Sequence, residues 1–443
     1  MKLRHLEGPR GERTIAAIEL PGVTGALHGN TAEDAQAART PMFQSFKTRN
    51  FRLFFSGQIV SQVGNWLTLV AQTLLVLHLT NSGVAVGLLT AFQFAPVLVL
   101  GPWAGAVADR VDKRKLLLVV QSIAMVQSGA LAAIAFSGRP PVAAIYGVAL
   151  VGGLTVAFDN PARRSIVVEM VPTEYVNNAV SLNSALMTSS RIFGPALAGL
   201  LIHTVGFGWC FVTDAVSYLA VLLGLSMMRP SELRRPPTRP RTRGDVRASL
   251  RYVRTVPELA IPLTMMAIIG TFAFNFQVVM PLFVTRTLGG TDTTFTVLYS
   301  IVSVGSLAGA LFIARRSTIT LPNVIWSAAM FGAALLLLAA TPNFAWALPA
   351  GMLMGAASIA FMTTSTSIMQ TRADPSMRGR VLALQAMVFL GSTPIGGPIL
   401  GAICEYLGAR AGLVVGGVSA LLAAGYGQSR RSPFANASVS AVT

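Results

Sequence analysis

Charge is scarce in this sequence. Of its 443 residues only 12% are charged, roughly half the share of about 25% usual in soluble chains. Acidic residues are the scarcer sign, with 17 Asp and Glu against 34 Lys and Arg. Cysteine is nearly absent: Cys210 and Cys404 fall far apart in apolar runs, which excludes a disulfide framework or a cysteine metal site. No Gly-x-x-x-x-Gly-Lys-Ser/Thr loop occurs, so ATP is not expected to drive the protein. No zinc-finger spacing or aromatic-interleaved basic face accompanies the net charge of +17, so no nucleic-acid partner is expected. Nothing in the pattern marks a catalytic cluster, metal site or cofactor, and the chain is expected not to be an enzyme. Residues 1–41 are polar and mixed in charge, with no cleavable signal peptide evident.

Apolar residues take the place of charge: 53% of the chain is hydrophobic and mean hydropathy is +0.61. A soluble protein could not cover that much apolar surface. A bilayer-crossing helix needs about 20 such residues, and runs of that kind recur at 53–78, 84–108, 116–137, 141–163, 177–203, 206–228, 259–285, 293–314, 319–341, 344–370, 381–404 and 411–428. The uncharged stretch from Ser317 to Thr371 is too long for one span, and Thr341-Pro342-Asn343 is the turn that divides it. Of the 34 Lys and Arg, only Arg139, Arg286 and Arg410 fall in odd-numbered loops and Arg191 within a span; the rest lie in even-numbered loops and tails. By the positive-inside rule this predicts twelve spans in the inner (cytoplasmic) membrane with both termini cytoplasmic.

The domain organisation follows. A tail, 1–50, is expected to be largely disordered; Met42 opens the helix-like MFQSFKTRNFRLFF and is a possible true start. A bundle of six spans, 51–228, is followed by an Arg/Pro-rich cytoplasmic linker, 229–256. A second bundle, 257–428, precedes a tail, 429–443. The halves echo each other: SRIFGPALAGLL carries Gly194, Pro195 and Gly199, while STPIGGPILGAI carries Gly397, Pro398 and Gly401. Gly101 and Gly105 likewise match Gly305 and Gly309. Such an internal duplication is common among transporters. The fold class expected is an all-α integral membrane protein of twelve transmembrane helices in two pseudo-symmetric six-helix bundles.

The most specific motif is GPWAGAVADRVDKRK, residues 101–115. Gly101 and Gly105 put a flat stripe on one helix face, where another helix can come close. Asp109 then sits at the membrane border, followed by Arg110, Lys113 and Arg114; a carboxylate there can accept from a helix N-terminus or pair with Arg. A merely topogenic basic loop would not need the Gly-x-x-x-Gly-x-x-x-Asp spacing. The segment resembles the loop 2–3 signature of the major facilitator superfamily, with Asp112 where Gly is commoner. FRLFFSGQIVSQVGNW, FDNPARRSIVVEMVPTEYVNNAVSLNSA and RIFGPALAGLL resemble its third drug:proton antiporter group, which includes enterobactin exporters and macrolide-efflux proteins. The resemblance spans 43–428. It implies the major facilitator fold, alternating access, and a gate in which Asp109 meets the start of span 11 near Arg378 to Arg380. Ile313 stands at the second-half position of that acid.

Gly194-Pro195 resembles the antiporter signature that flattens a helix between the halves, and ordinary membrane-helix packing explains it equally well. Gln58, Gln62, Asn65 and Gln72 fall close to one face of span 1, which excludes lipid for that face. The family arrangement of spans 1, 4, 7 and 10 around a cavity favours cavity over helix contacts for them. Asn275 and Gln277 of span 7, with Thr363 and Ser367 of span 10, are expected to join them around an amphipathic substrate. Arg191, mid-span, needs a partner, and Asp214 is the candidate; Asp159 is read as a solvated border residue. Asp159 and Asp214 are the acids that could carry protons, a coupling that rests on resemblance, since span 1 has no carboxylate. The expected activity is export of a small amphipathic molecule (drug, siderophore or metabolite) by proton-coupled antiport. A major facilitator importer or uniporter of a nutrient is the alternative within the fold, and a membrane sensor or enzyme without transport is the alternative outside it. The expected partners are the lipid bilayer, a small-molecule substrate and protons, and the expected state is a monomer.

Overall fold

In the absence of water a membrane-crossing backbone must satisfy its own polar groups, which leaves the helix for uncharged runs like these. The computed structural model describes residues 43–440 apart from 139, 235–244 and 317. These are helical throughout, without a strand, and include twelve helices of membrane length. They are α1 (Arg49–Thr80), α2 (Gly83–Arg110), α3 (Lys113–Phe136), α4 (Val142–Glu169), α5 (Val176–Val205), α6 (Phe207–Ser226), α7 (Pro257–Thr287), α8 (Asp292–Ala314), α9 (Leu321–Ala340), α10 (Phe344–Arg372), α11 (Arg378–Tyr406) and α12 (Ala409–Ser440). Each covers one expected span. Large apolar side chains such as Val126, Phe193, Leu223, Trp326 and Leu422 lie exposed on them, as lipid contact requires.

One helix departs from a simple span. α7 runs as Pro257–Phe272, breaks, and resumes as Phe276–Leu282 before a π turn at Phe283–Thr287. Pro281 cannot donate to the turn before it. The Asn275 amide donates to the carbonyls of Gly270 at 3.4 Å and Thr271 at 2.7 Å, so acceptors at the break are met internally. Within the expected linker, Pro230–Glu232 forms a short turn, and Asp245–Thr255 forms a helix tied to the second half by Tyr252, whose hydroxyl donates to Asp374 at 3.0 Å. The tail through Met42 and the linker arginines Arg235, Arg239, Arg241 and Arg243 lie outside the described residues.

Helix packing reproduces the duplication. In the first half α1 packs on α5 and α6, α2 on α4, and α3 on α4 and α6. In the second half α7 packs on α11 and α12, α8 on α10, and α9 on α10 and α12. Each contact maps to the other half by a shift of six helices. The halves join along α2 with α11 and α5 with α8, pairs that the same operation exchanges.

The joins are made at one end. Cβ atoms placed on Gly83 and Gly87 would lie 2.6 and 2.5 Å from the carbonyl oxygens of Gly401 and Gly397, so α2 and α11 touch backbone to backbone there. Gly199 of α5 meets Thr296 of α8 equally closely. Near the middle, Gly391 abuts Leu98. Toward the other end Gly101, Gly105 and Gly379 have no other element within 4 Å of such a Cβ. At 100° per residue, Gly83, Gly87, Leu98, Gly101 and Gly105 share one face of α2, and Gly379 shares the face of Gly397 on α11. Along these faces the halves are closed at one end and apart at the other.

Candidate transport pathway

The face of α5 that meets α8 at the closed end carries Pro195 and Gly199. Continued toward the open end, the same face presents Arg191, Thr188, Ser184, Ser181 and Asn177, at steps of three and four residues. All but Thr188 are exposed. Phe193, exposed on the opposite side, marks the lipid face, so the polar stripe lines the gap between the halves. The i, i+3, i+4 signal of this stripe is present in VNNAVSLNSALMTSSRIFGP. The facing side of α8, in register with Thr296, presents Ser300, Val304, Leu307 and Leu311. The gap has a polar wall and a mainly apolar one.

Arg191 stands at its inner limit. The guanidinium lies 5.5 Å from the centre of the Trp66 ring of α1, a cation–π contact. Trp66 approaches Tyr299 of α8, ring centres 6.3 Å apart. Helices of both halves thus converge on one cluster. The expected Arg191–Asp214 pair is not formed. Asp214 is fully buried between α1, α3 and α6, where Thr68 and Ser128 donate to its Oδ2 at 2.7 Å each. Its Oδ1 faces Gly64 with no hydrogen-bond partner. Helix α5 turns Arg191 toward α8 and away from α6, which is why depth alone misled the pairing.

Among the residues expected in the cavity, Gln72 and Asn65 instead join helices. Gln58, Gln62 and Gln72 are buried: Gln62 donates to Gln58 at 3.1 Å, Gln72 to the Ile145 carbonyl at 3.4 Å, and Gln93 to Gln72 at 2.9 Å. The half-buried Asn65 accepts from Tyr218 at 3.2 Å. The Gln62–Gln58 bond lies within α1, and the Gln58 Nε2 has no partner among the described residues; a face packed against helices has the same periodicity as one facing water, so the pattern could not separate them. Asn275 is buried at the α7 break. Gln277, Thr363 and Ser367 are partly exposed. Gly194 packs on Trp66 within its own half, whereas Gly199 and Gly397 meet the other half. Pro195 is buried inside α5, and Pro398 lies inside α11.

The gating motif divides by role. Asp109 and Arg110 are exposed at the open end. Lys113 pairs with buried Glu169 at 2.8 Å, and Arg114 donates to the carbonyls of Leu225 and Ser226 at 2.6 and 2.8 Å. Those carbonyls end α6, where a cation is favoured. Both side chains therefore brace the first half. Asp159 is buried, not a solvated border residue: Arg163 pairs with it one turn away and Gln121 donates at 2.7 Å. Four residues on, Arg163 brings a partner that lets the acid withdraw from water.

A polar clasp holds the closed end. The Gly83 N–H, an orphan donor at the start of α2, donates to Glu405 of the other half at 2.6 Å. Arg286 pairs with Glu405 at 3.2 Å and also donates to the Asn81 carbonyl. His78 of α1 meets Asp292 of α8 at 2.9 Å. Among the described residues no group of His, Cys, Asp and Glu could hold a metal ion.

Comparison with known proteins agrees with this architecture. A family profile described as "Transmembrane secretion effector" matches residues 40–441. The staphyloferrin A transporter of Staphylococcus aureus is 24% identical over 375 residues, covering 84% of this chain and 93% of that protein. Macrolide efflux protein A of Streptococcus pyogenes is 22% identical over 370 residues, covering 79% and 89%. The enterobactin exporter EntS of Escherichia coli is 23% identical over 358 residues, covering 80% and 85%. The fold is shared with a bacterial homologue of the human lysosomal transporter Spinster, in an inward-facing, unoccupied conformation, at a TM-score of 0.71 and 15% identity over 88% of this chain and 98% of that one. The chain belongs to the transmembrane secretion effector family and is a multi-pass small-molecule transporter of the major facilitator superfamily, not an enzyme.

Proposed function

We propose that this protein exports a small amphipathic molecule from the cytoplasm by alternating access, in exchange for protons. The observation that carries the reading is the pair of continuous faces on α2 and α11, in backbone contact at one end and uncovered at the other. Gly105 lies 18 residues beyond Gly87, and Gly379 lies 18 residues before Gly397, each about 27 Å along its helix. Rocking the halves about their middle would bring Gly105 against Gly379 while parting Gly87 from Gly397. Asp109 and Arg110, one turn further, would then meet the start of α11 near Arg378. The concentration of Lys and Arg at the open end supports a cytoplasmic orientation for it, and the efflux relatives support export.

For the proton, Asp214 is the proposed carrier. It is an embedded carboxylate with no cation beside it among the described residues, and one of its oxygens has no donor. Asp159 already has Arg163. The test is uptake into proteoliposomes of a panel of amphipathic compounds and siderophores, with and without an imposed pH gradient, for wild type and Asp109→Asn. Gradient-driven accumulation that the variant loses supports proton-coupled export with a working gate. Flux indifferent to the gradient refutes the antiport reading.

A further inference from the structure

Arg191 is a charged side chain at mid-span, exposed, on the face of α5 that lines the gap. None of its five N–H donors meets an acceptor among the described residues; the guanidinium lies over the Trp66 ring in a cation–π contact. A guanidinium at that depth is costly to place in a bilayer, and a purely structural arginine would satisfy its donors. The cation–π contact with Trp66 anchors the guanidinium without using its N–H donors, and free guanidinium donors can take a carboxylate or phosphate by two parallel hydrogen bonds. The stripe leading to it, Asn177, Ser181, Ser184 and Thr188, contains no acid. The opposite wall offers Val304, Leu307 and Leu311, and Tyr299 stands across from Trp66.

We propose that Arg191 is an anion-recognition residue of the pathway, so that the transported molecule carries an anionic group on an apolar, ring-bearing body. The anion meets the guanidinium of Arg191, while the body lies along the apolar side of α8 at Val304, Leu307 and Leu311. Cations of the same shape are disfavoured, because the pathway offers them Arg191 and no acid on the α5 stripe. The proposal rests on the transport reading above and adds the charge of its cargo.

The test uses the full chain purified in detergent and three probes on one ring system: 2-naphthoate, 2-naphthamide and 2-naphthylmethylamine, with binding measured by calorimetry. The expected order is naphthoate tightest by about tenfold or more, as for a charge-assisted hydrogen bond over a neutral one, with the amine weakest. Arg191→Gln brings naphthoate to the level of naphthamide. Arg191→Lys keeps part of the preference. Thr188→Asp, one turn away on the same stripe, removes it with Arg191 intact, so the result does not hang on one variant's folding. Equal affinities in the wild type, no naphthoate binding, or an undiminished preference in Arg191→Gln overturns the proposal. Loss of anion preference in a protein that still exports neutral compounds sinks this inference alone. Anion preference in a protein that moves no solute sinks the export reading instead.

Discussion

If α2 and α11 alternate contact between their two ends, single methyl groups at Gly87 and Gly105 should push the transporter in opposite directions. A Cβ at Gly87 would stand 2.5 Å from the Gly397 carbonyl oxygen, where even a close C–H···O contact needs about 3.3 Å. The overlap of about 0.8 Å falls on backbone, which no rotamer change relieves. Overpacking of this size costs about 1–3 kcal/mol, a shift of roughly 5- to 150-fold away from the state seen here. At Gly105 the methyl group enters open space, and the same cost falls on the opposite state. The assay places a cysteine at Ser184, exposed on the α5 stripe, and follows its labelling by an impermeant maleimide from the open end. Cys210 and Cys404 are buried and form a slow background. Gly87→Ala should slow labelling, Gly105→Ala should hold or speed it, and both should lower transport. Changes of the same sign in both variants, or wild-type behaviour of Gly87→Ala, would refute the alternating contact.

Three further outcomes are expected. Removing one partner of the buried Asp159–Arg163 pair, as in Asp159→Ala, should destabilise the first half by about 3–5 kcal/mol, read as a lowered unfolding midpoint in detergent; Asp159→Asn with Arg163→Gln should recover much of it. Glu405→Gln removes the carboxylate that both caps α2 and holds Arg286. It should loosen the closed end by about 0.5–2 kcal/mol, seen as faster labelling of a cysteine at Asn81 and weakened by salt less than the wild-type clasp. Asp214→Asn keeps an acceptor for Thr68 and Ser128, so it should fold normally while losing gradient-driven accumulation; accumulation at the wild-type level would remove Asp214 as the proton carrier.

Span number and the division into halves were legible because they have local signatures: apolar runs of bilayer length, the alternation of Lys and Arg, and glycine and proline motifs repeated in each half. The family followed from residues clustered in short segments. Side-chain partners were less legible. The amides of α1 show the same periodicity whether they face water or Tyr218, Ile145 and Gln93, and only the packed neighbours decided for the latter. Arg191 and Asp214 stand out in the sequence as charges within spans, but depth along a helix says nothing about rotation around it; the turn of α5 toward α8 sent Arg191 to Trp66 and left Asp214 to two hydroxyls. The clasp of Gly83, Glu405, Arg286 and Asn81 joins positions hundreds of residues apart, so no window along the chain could contain it. Local pattern and composition determined what each helix is and that it lies in a membrane. Which face each helix turns to its neighbours, and hence which polar groups line the pathway, depended on close packing between segments distant in sequence and was decided by the tertiary structure alone.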